Sequence, residues 1–306
     1  MDLKMAVRSL FPAAPTSRIN LNFLDDLAEY DHTKPYHFSG PLSKELEPSR
    51  TNIQYRMLHD IPVSDLRREE RKLLISKHGF QFIQVPEDVI KLDIRGSENQ
   101  KQEYIESITI LIKQLLGASF ALCYDCRFRS STSSKPTDRN ITVGTAEHPD
   151  TPAEAAHIGY LTPIGAARRT KRHLTNEEAE KYLNRDWRMR VVKQVPTSSP
   201  VPTTLTRQIP PQFQPDDLVA VDRVLSEYVG EVYMLKPRKH YRWYRIDHQK
   251  PNEATIFMSY DSDPGNGAPY CPHTSAKNPT LPNSVYTRES IELRILLFSP
   301  TSDVSA

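Results

Sequence analysis

Short apolar runs separated by turn residues recur at regular intervals in the last third of the chain. This spacing is typical of β sandwiches and barrels, in which each run forms one strand. The 25 prolines outnumber the 10 glycines, which favours rigid turns between ordered elements. We therefore predict a mainly β fold, with strands at residues 120–128, 188–195, 218–221, 231–235, 241–246, 254–260 and 291–298.

One long amphipathic helix is predicted at residues 98–116, which Gly117 would end. We expect it to pack on the outside of a sheet through Tyr104, Ile108, Leu111 and Leu115. Residues 1–50 lack such periodicity, so they are predicted to form an N-terminal arm that lies on the body or on a second subunit, which makes a homodimer the expected state. Residues 51–306 are predicted to form the catalytic domain, with helical insertions.

The charge balance and the cysteine count limit the partners and the compartment. Lys and Arg number 40 and Asp and Glu number 38, which argues against nucleic acid, because phosphate binding usually needs a marked basic excess. No segment resembles a signal peptide or a membrane span, and three cysteines cannot form a disulfide framework. We therefore expect a cytoplasmic protein. Cys123 and Cys126 should point to opposite faces of a strand and form no redox pair.

A series of short segments is informative because of its order along the chain. They are LNFL at 21–24, KPY at 34–36, KHGFQ at 77–81, LGA at 116–118, TPIGAARR at 162–169, RWY at 242–244, YDS at 260–262, PHT at 272–274 and RESIELR at 288–294. Each segment is weak alone, whereas the ordered set is specific. Over roughly residues 19–298 the chain resembles a fungal hydroxylase/desaturase family of secondary metabolism.

The resemblance implies a double-stranded β-helix, or jelly roll, in which an H-x-D…H triad holds Fe(II) and leaves positions for 2-oxoglutarate and oxygen. The first and last ligands match His157 and His273, and an R-x-S element for the 2-oxoglutarate carboxylate matches Arg288 and Ser290. Gly159 stands at the middle ligand, however.

A Trp-Arg-Pro segment of the family is also replaced, by VVKQVP at residues 191–196. We therefore predict no metal and no cofactor, with Fe(II) and 2-oxoglutarate as the alternative. His148 and Asp150 also match the H-x-D spacing, so a displaced pair of metal ligands at these two residues is a further alternative.

The predicted function is a metal-independent tailoring enzyme of fungal secondary metabolism. The expected reaction is a pericyclic cyclisation of the hetero-Diels–Alder type, which joins a polyketide-derived heterodiene to a terpene alkene. Holding both reactants together removes an entropic barrier, and hydrogen bonds stabilise developing charge. The alternatives are an Fe(II)/2-oxoglutarate-dependent hydroxylase, desaturase or halogenase, and a pseudoenzyme that binds a small molecule.

Two sets of residues are predicted to form the site for small natural-product intermediates. The catalytic set is His157, Lys193, His273, Arg288 and Arg294. The substrate-binding set is Gly159, Tyr160, Gln194, Trp243, Tyr244 and Ser290.

Overall fold

The computed structural model describes residues 17–68, 73–134, 141–153, 155–159, 163–196, 204–208, 215–225, 228–276 and 287–301. Its strands are β1 (Ser17–Leu24), β2 (Tyr36–Phe38), β3 (Tyr55–Asp65), β4 (Phe80–Gln84), β5 (Phe120–Ser130), β6 (His157–Ile158), β7 (Trp187–Pro196), β8 (Thr204–Gln208), β9 (Leu218–Val224), β10 (Val229–Leu235), β11 (Trp243–Arg245), β12 (Glu253–Asp261), β13 (His273–Ala276) and β14 (Glu289–Pro300). Its α-helices are α1 (Ile75–His78), α2 (Glu87–Ile90), α3 (Glu98–Leu115), α4 (Pro163–Lys171) and α5 (Asn176–Tyr182). Of the described helices, none has the length and apolar content that a membrane crossing needs.

The described strands form two sheets that pack against each other. Nine strands make one sheet in the order β1-β3-β11-β8-β13-β6-β10-β9-β2, and five make the other in the order β4-β12-β7-β14-β5. Tyr244 of the larger sheet is in one buried cluster with Phe80 and Phe257 of the smaller sheet. The fold is therefore the mainly β architecture that the strand spacing predicted.

The smaller sheet is covered on its outer face by α3, so that β7 and β14 are buried along most of their length. Ser97 caps α3 by accepting a hydrogen bond from the backbone N–H of Gln100. Tyr104, Ile108 and Ile112 are buried against the sheet, as the helical repeat requires. Leu115 was predicted on this face but is 44% exposed, because Ile112 provides the last buried position.

Part of the predicted N-terminal arm belongs to the larger sheet. β1 pairs antiparallel with β3, and β2 pairs parallel with β9, so the sheet crosses the predicted boundary at residue 50. Phe23 on β1 is fully buried, and its ring centroid lies 6.0 Å from those of Tyr241 and Trp243. Residues 1–16 lie outside the described residues, and the homodimer stays a prediction.

Cys123 and Cys126 on β5 pack against the same buried cluster beneath α3, although regular alternation predicted opposite faces. The reason is a register shift opposite Arg294 and Ile295 of β14, which leaves one extra β5 residue between the two cysteines. Burial raises the pKa of Cys123 to about 11 and that of Cys126 to about 12. Both therefore remain protonated thiols near neutral pH, which does not favour redox activity.

Candidate active site

A concave cavity lies between the two sheets. The larger sheet contributes His157 and His273, and the smaller sheet contributes Val195, Phe257 and Glu292. Arg129 and Arg288 bring positive charge to the same walls. A small number of polar groups converging on a concave surface is what small-molecule sites look like.

The two histidines are cross-strand neighbours, since His157 on β6 is directly opposite His273 on β13. Their ring centroids are 4.4 Å apart. Nδ1 of His157 donates to the carbonyl oxygen of Ala155 at 2.8 Å, and Nδ1 of His273 donates to that of Cys271 at 3.0 Å. Because a carbonyl oxygen only accepts, Nδ1 carries the proton in each neutral ring and Nε2 keeps its lone pair.

Both imidazoles are held in the neutral form. Burial, together with the Lys193 ammonium, lowers the pKa of His157 to about 3. Burial, the neighbouring His157 and Lys193 lower the pKa of His273 well below its ordinary value. Two neutral rings with their Nδ1 protons on backbone carbonyls present Nε2 as hydrogen-bond acceptors or as metal ligands.

Lys193 on β7 places a buried ammonium against this pair. Its side chain is only 3% exposed, and Nζ lies 3.5 Å from Nε2 of His273 and 3.5 Å from Oε1 of Glu292. A Cβ on Gly159 would lie 2.4 Å from the same Nζ. The lysine therefore fills the space that a side chain at residue 159 would need.

Glu292 is held as a carboxylate by three cations. Its Oε1 accepts from Nε of Arg294 at 2.7 Å, its Oε2 accepts from Nε of Arg129 at 3.1 Å, and Lys193 is its third cationic neighbour. Although burial opposes ionisation, Lys193, Arg129 and Arg294 hold the pKa of Glu292 well below its usual range. Arg294 is 1% exposed and also pairs with Asp125 at 3.0 Å. It does not line the cavity, and its pair with Glu292 connects it to the wall.

Arg288 and Ser290 lie on the cavity wall, and both are buried. Nη2 of Arg288 is buried and has no hydrogen-bond partner among the described residues. Burial, with a contribution from Arg129, lowers the pKa of Arg288 to about 10, so it is still a cation near neutral pH. A buried guanidinium with an unsatisfied N–H is suited to a carboxylate ligand, because leaving such a group unpaired is costly.

Gln194, Trp243 and Tyr244, which were predicted as substrate-binding residues, do not line the cavity. Gln194 follows Lys193 on β7 and faces α3, where its Nε2 is 3.4 Å from the Tyr104 hydroxyl. Trp243 is 1% exposed and packs among core side chains with Phe23. Tyr244 is equally buried in the cluster of Phe80. Tyr160 lies outside the described residues.

Residues that the sequence did not single out complete the site. Glu292 and Arg129 provide its charged network, and Phe257 packs its ring 4.4 Å from that of His273. Glu292 could have been found from strand alternation, because it lies two residues after Ser290 and so shares its face. Asp150, considered above as a displaced ligand, pairs instead with Arg129 at 3.4 Å and Arg127 at 3.7 Å.

Comparison with known proteins shows what the chain is similar to. Residues 21–298 match a family described as an oxidoreductase/YMDC permease-like domain. The Fe(II)/2-oxoglutarate-dependent dioxygenase nvfI of Aspergillus novofumigatus is 24% identical, over 82% of this chain and 88% of its own. The hydroxylase/desaturase efuI of Hormonema carpetanum is 24% identical, over 93% of this chain and 96% of its own.

The solved structures agree on the fold. A variant of the iron and alpha-ketoglutarate-dependent endoperoxidase NvfI superposes with a TM-score of 0.78 at 23% identity, covering 95% of this chain and 100% of that one. The jelly-roll fold expected from the resemblance is confirmed. The prediction of no cofactor is wrong for this family, because the relatives are Fe(II)/2-oxoglutarate-dependent enzymes.

The side chains around the cavity fit 2-oxoglutarate better than they fit iron. Arg288, with its unsatisfied Nη2, and the adjacent Ser290 suit a carboxylate. The imidazoles of His157 and His273 have the tautomer that a metal ligand needs. A third ligand is lacking, however, since no three His, Cys, Asp or Glu side chains within the described ranges are grouped to hold a metal ion. The complete triad of the resemblance is therefore not formed.

Proposed function

The chain belongs to the family of the oxidoreductase/YMDC permease-like domain, and on that premise we propose that it oxidises a small natural-product intermediate of fungal secondary metabolism. Hydroxylation, desaturation and halogenation, the alternative of the sequence analysis, are preferred over the cyclisation predicted first. The relatives named above, a dioxygenase and a hydroxylase/desaturase, support this choice.

One observation carries the proposal. The buried Arg288, with an unsatisfied Nη2, faces the same cavity as the neutral pair His157 and His273. Arg288 and Ser290 would hold a carboxylate of 2-oxoglutarate, and the histidines would provide two imidazole ligands to Fe(II). When bound, Fe(II) and 2-oxoglutarate would activate oxygen, which is the oxidant of the reaction.

The remaining residues shape the space for the substrate. Phe257 and Val195 provide apolar wall, which suits a polyketide or terpenoid and keeps water from the reacting atoms. Arg129 is paired with Glu292 at 3.1 Å, whereas Nη2 of Arg288 has no hydrogen-bond partner among the described residues. The Arg288 guanidinium therefore suits an acidic co-substrate.

The test is turnover by the purified protein with Fe(II), 2-oxoglutarate, oxygen and a panel of fungal polyketide and terpenoid intermediates. Succinate should form together with an oxidised product. Arg288→Ala should lower the rate at least about tenfold, because a charge-assisted contact to the carboxylate is lost. Arg185→Ala, which removes a guanidinium that is 97% exposed, should match the wild type. Equal rates for Arg288→Ala and wild type would contradict the proposal.

Cyclisation in the same cavity is a second candidate. It is favoured by the unsatisfied guanidinium of Arg288, because an N–H donor aimed at a carbonyl oxygen stabilises the charge that develops there. Product mass separates the two reactions. An oxidation adds oxygen or halogen or removes hydrogen, whereas a cycloaddition yields the summed mass of its reactants and needs no 2-oxoglutarate.

A further inference from the structure

The ammonium of Lys193 lies beside the histidine pair, on the side where His273 would bind a metal ion. Nε2 of His273 is the nitrogen that would bind a metal, and it faces Nζ at 3.5 Å. The carboxylate of Glu292 approaches the same Nζ at 3.5 Å. Gly159 provides the space, since any Cβ there would come within 2.4 Å of Nζ.

A metal ion and this ammonium cannot occupy the site together. Protein nitrogen ligands bind transition metals at roughly 2 Å, so a metal on His273 would lie well inside contact distance of Nζ. The two positive charges would also repel strongly in a buried environment.

We propose that Lys193 is the resident cation of the histidine site, and that a divalent metal ion binds there only by displacing its ammonium. The inference rests on the proposed function, whose metal it concerns, and it makes Lys193 a residue that sets metal affinity.

Metal binding without substrate tests this directly. Co(II) replaces Fe(II), because it is stable in air and its visible absorption reports its ligands. Lys193→Ala should bind Co(II) at least about tenfold more tightly than wild type, since a buried like charge is removed. Lys34→Ala, which removes a lysine from a surface pair with Asp222 and Glu231, is the matched control and should bind as wild type does.

A second variant covers the case in which the alanine variant does not fold. Lys193→Met keeps most of the side-chain volume and removes the charge, so it should also tighten Co(II) binding. Unchanged Co(II) affinity in both folded Lys193 variants would overturn the inference.

These experiments distinguish failure of the Lys193 inference from failure of the proposed oxidation. Tighter Co(II) binding by Lys193→Ala, together with no succinate formation by any form of the protein, would contradict the oxidase proposal alone. Succinate formation by wild type, together with equal Co(II) affinity for all variants, would contradict the role of Lys193 alone.

Discussion

Gly159 and Lys193 form a complementary pair, in which the absence of one side chain makes room for the other. Cε and Nζ of Lys193 lie 2.9 and 2.4 Å from the position of a Cβ on Gly159. The space left by Gly159 is therefore the space that the Lys193 side chain occupies. A carboxylate introduced at residue 159, with Lys193 in place, should pair with the lysine rather than with a metal ion.

Gly159→Asp alone should not create a metal site. The new carboxylate would pair with Lys193, because the ammonium is the nearest cation and its side-chain end can shift to receive it. The double variant Gly159→Asp/Lys193→Ala should bind Co(II) at least about tenfold more tightly than Gly159→Asp, since only then is the carboxylate available to a metal. Spectrophotometric Co(II) titration of both proteins measures this, and equal affinities would refute the pairing.

For single residues, the sequence predicted the site positions that matched the ligand positions of the family. It did not predict which of the other residues face the cavity. His157, His273, Arg288 and Ser290 matched known positions, and the structure brings all four to one cavity. Trp243 is a large aromatic on a strand, and its residue type cannot show whether it faces a cavity or a core. Gln194 was assigned with its neighbour Lys193, although adjacent strand residues point to opposite faces.

Among the elements, α3 packs against the smaller sheet, and mutation can measure how much this contact contributes to the free energy of unfolding. Ile108 is fully buried beneath it, whereas Leu115 is 44% exposed. Ile108→Ala should lower the free energy of unfolding by about 2–5 kcal/mol, because it leaves a cavity in the core. Leu115→Ala should change it by less than about 0.5 kcal/mol. Urea unfolding of both variants is the measurement, and equal losses would contradict the observed face of the helix.

The ion pair at the start of β12 should make stability depend on pH. Glu253 accepts hydrogen bonds from Nη1 and Nη2 of Arg67 at 3.0 and 2.6 Å. Although burial opposes ionisation, Arg67 and the backbone N–H of Lys250 lower the pKa of Glu253. The stabilisation is therefore fully present above the ordinary carboxyl pKa and is lost as the pH falls through the lower, folded value.

Glu253→Gln should accordingly cost about 1–2 kcal/mol at pH 7, an amount reduced by the partial exposure of Arg67. The difference from wild type should shrink as the pH falls below the ordinary carboxyl pKa and through the lower, folded value, where the wild-type carboxylate is protonated as well. Urea unfolding at a series of pH values tests this. A difference that stays constant across the acidic range in which the protein is still folded would show that the pair does not carry the effect.

The helix periodicity predicted α3 to within one residue at its end, because a long amphipathic pattern is a strong signal. The β5 irregularity beside Cys123 and Cys126 left no such signal. A register shift depends on how β14 pairs with β5, which regular alternation along one strand does not reveal. The pairing of β1 with β3 was missed for the same reason, because strand partners are far apart in sequence.

For the molecule as a whole, the regular spacing of short strands predicted the mainly β class, and the resemblance predicted the jelly roll. Residues 1–50 were predicted as an arm because they are polar and lack periodicity, so no pattern in the sequence indicated β1 and β2. The homodimer is tested by light scattering, which should give twice 35.1 kDa. A mass of one chain across the working concentration range would contradict it.

The proposed function requires that the cavity binds 2-oxoglutarate and that Arg288 contacts its carboxylate. Calorimetric titration of the protein with 2-oxoglutarate in the presence of Co(II) measures this most directly. We expect saturable binding at one site per chain, at least about tenfold weaker in Arg288→Ala and unchanged in Arg185→Ala, because only Arg288 presents a buried, unsatisfied guanidinium N–H to the cavity among the described lining residues. No binding to the wild type, or equal binding to Arg288→Ala, would contradict it.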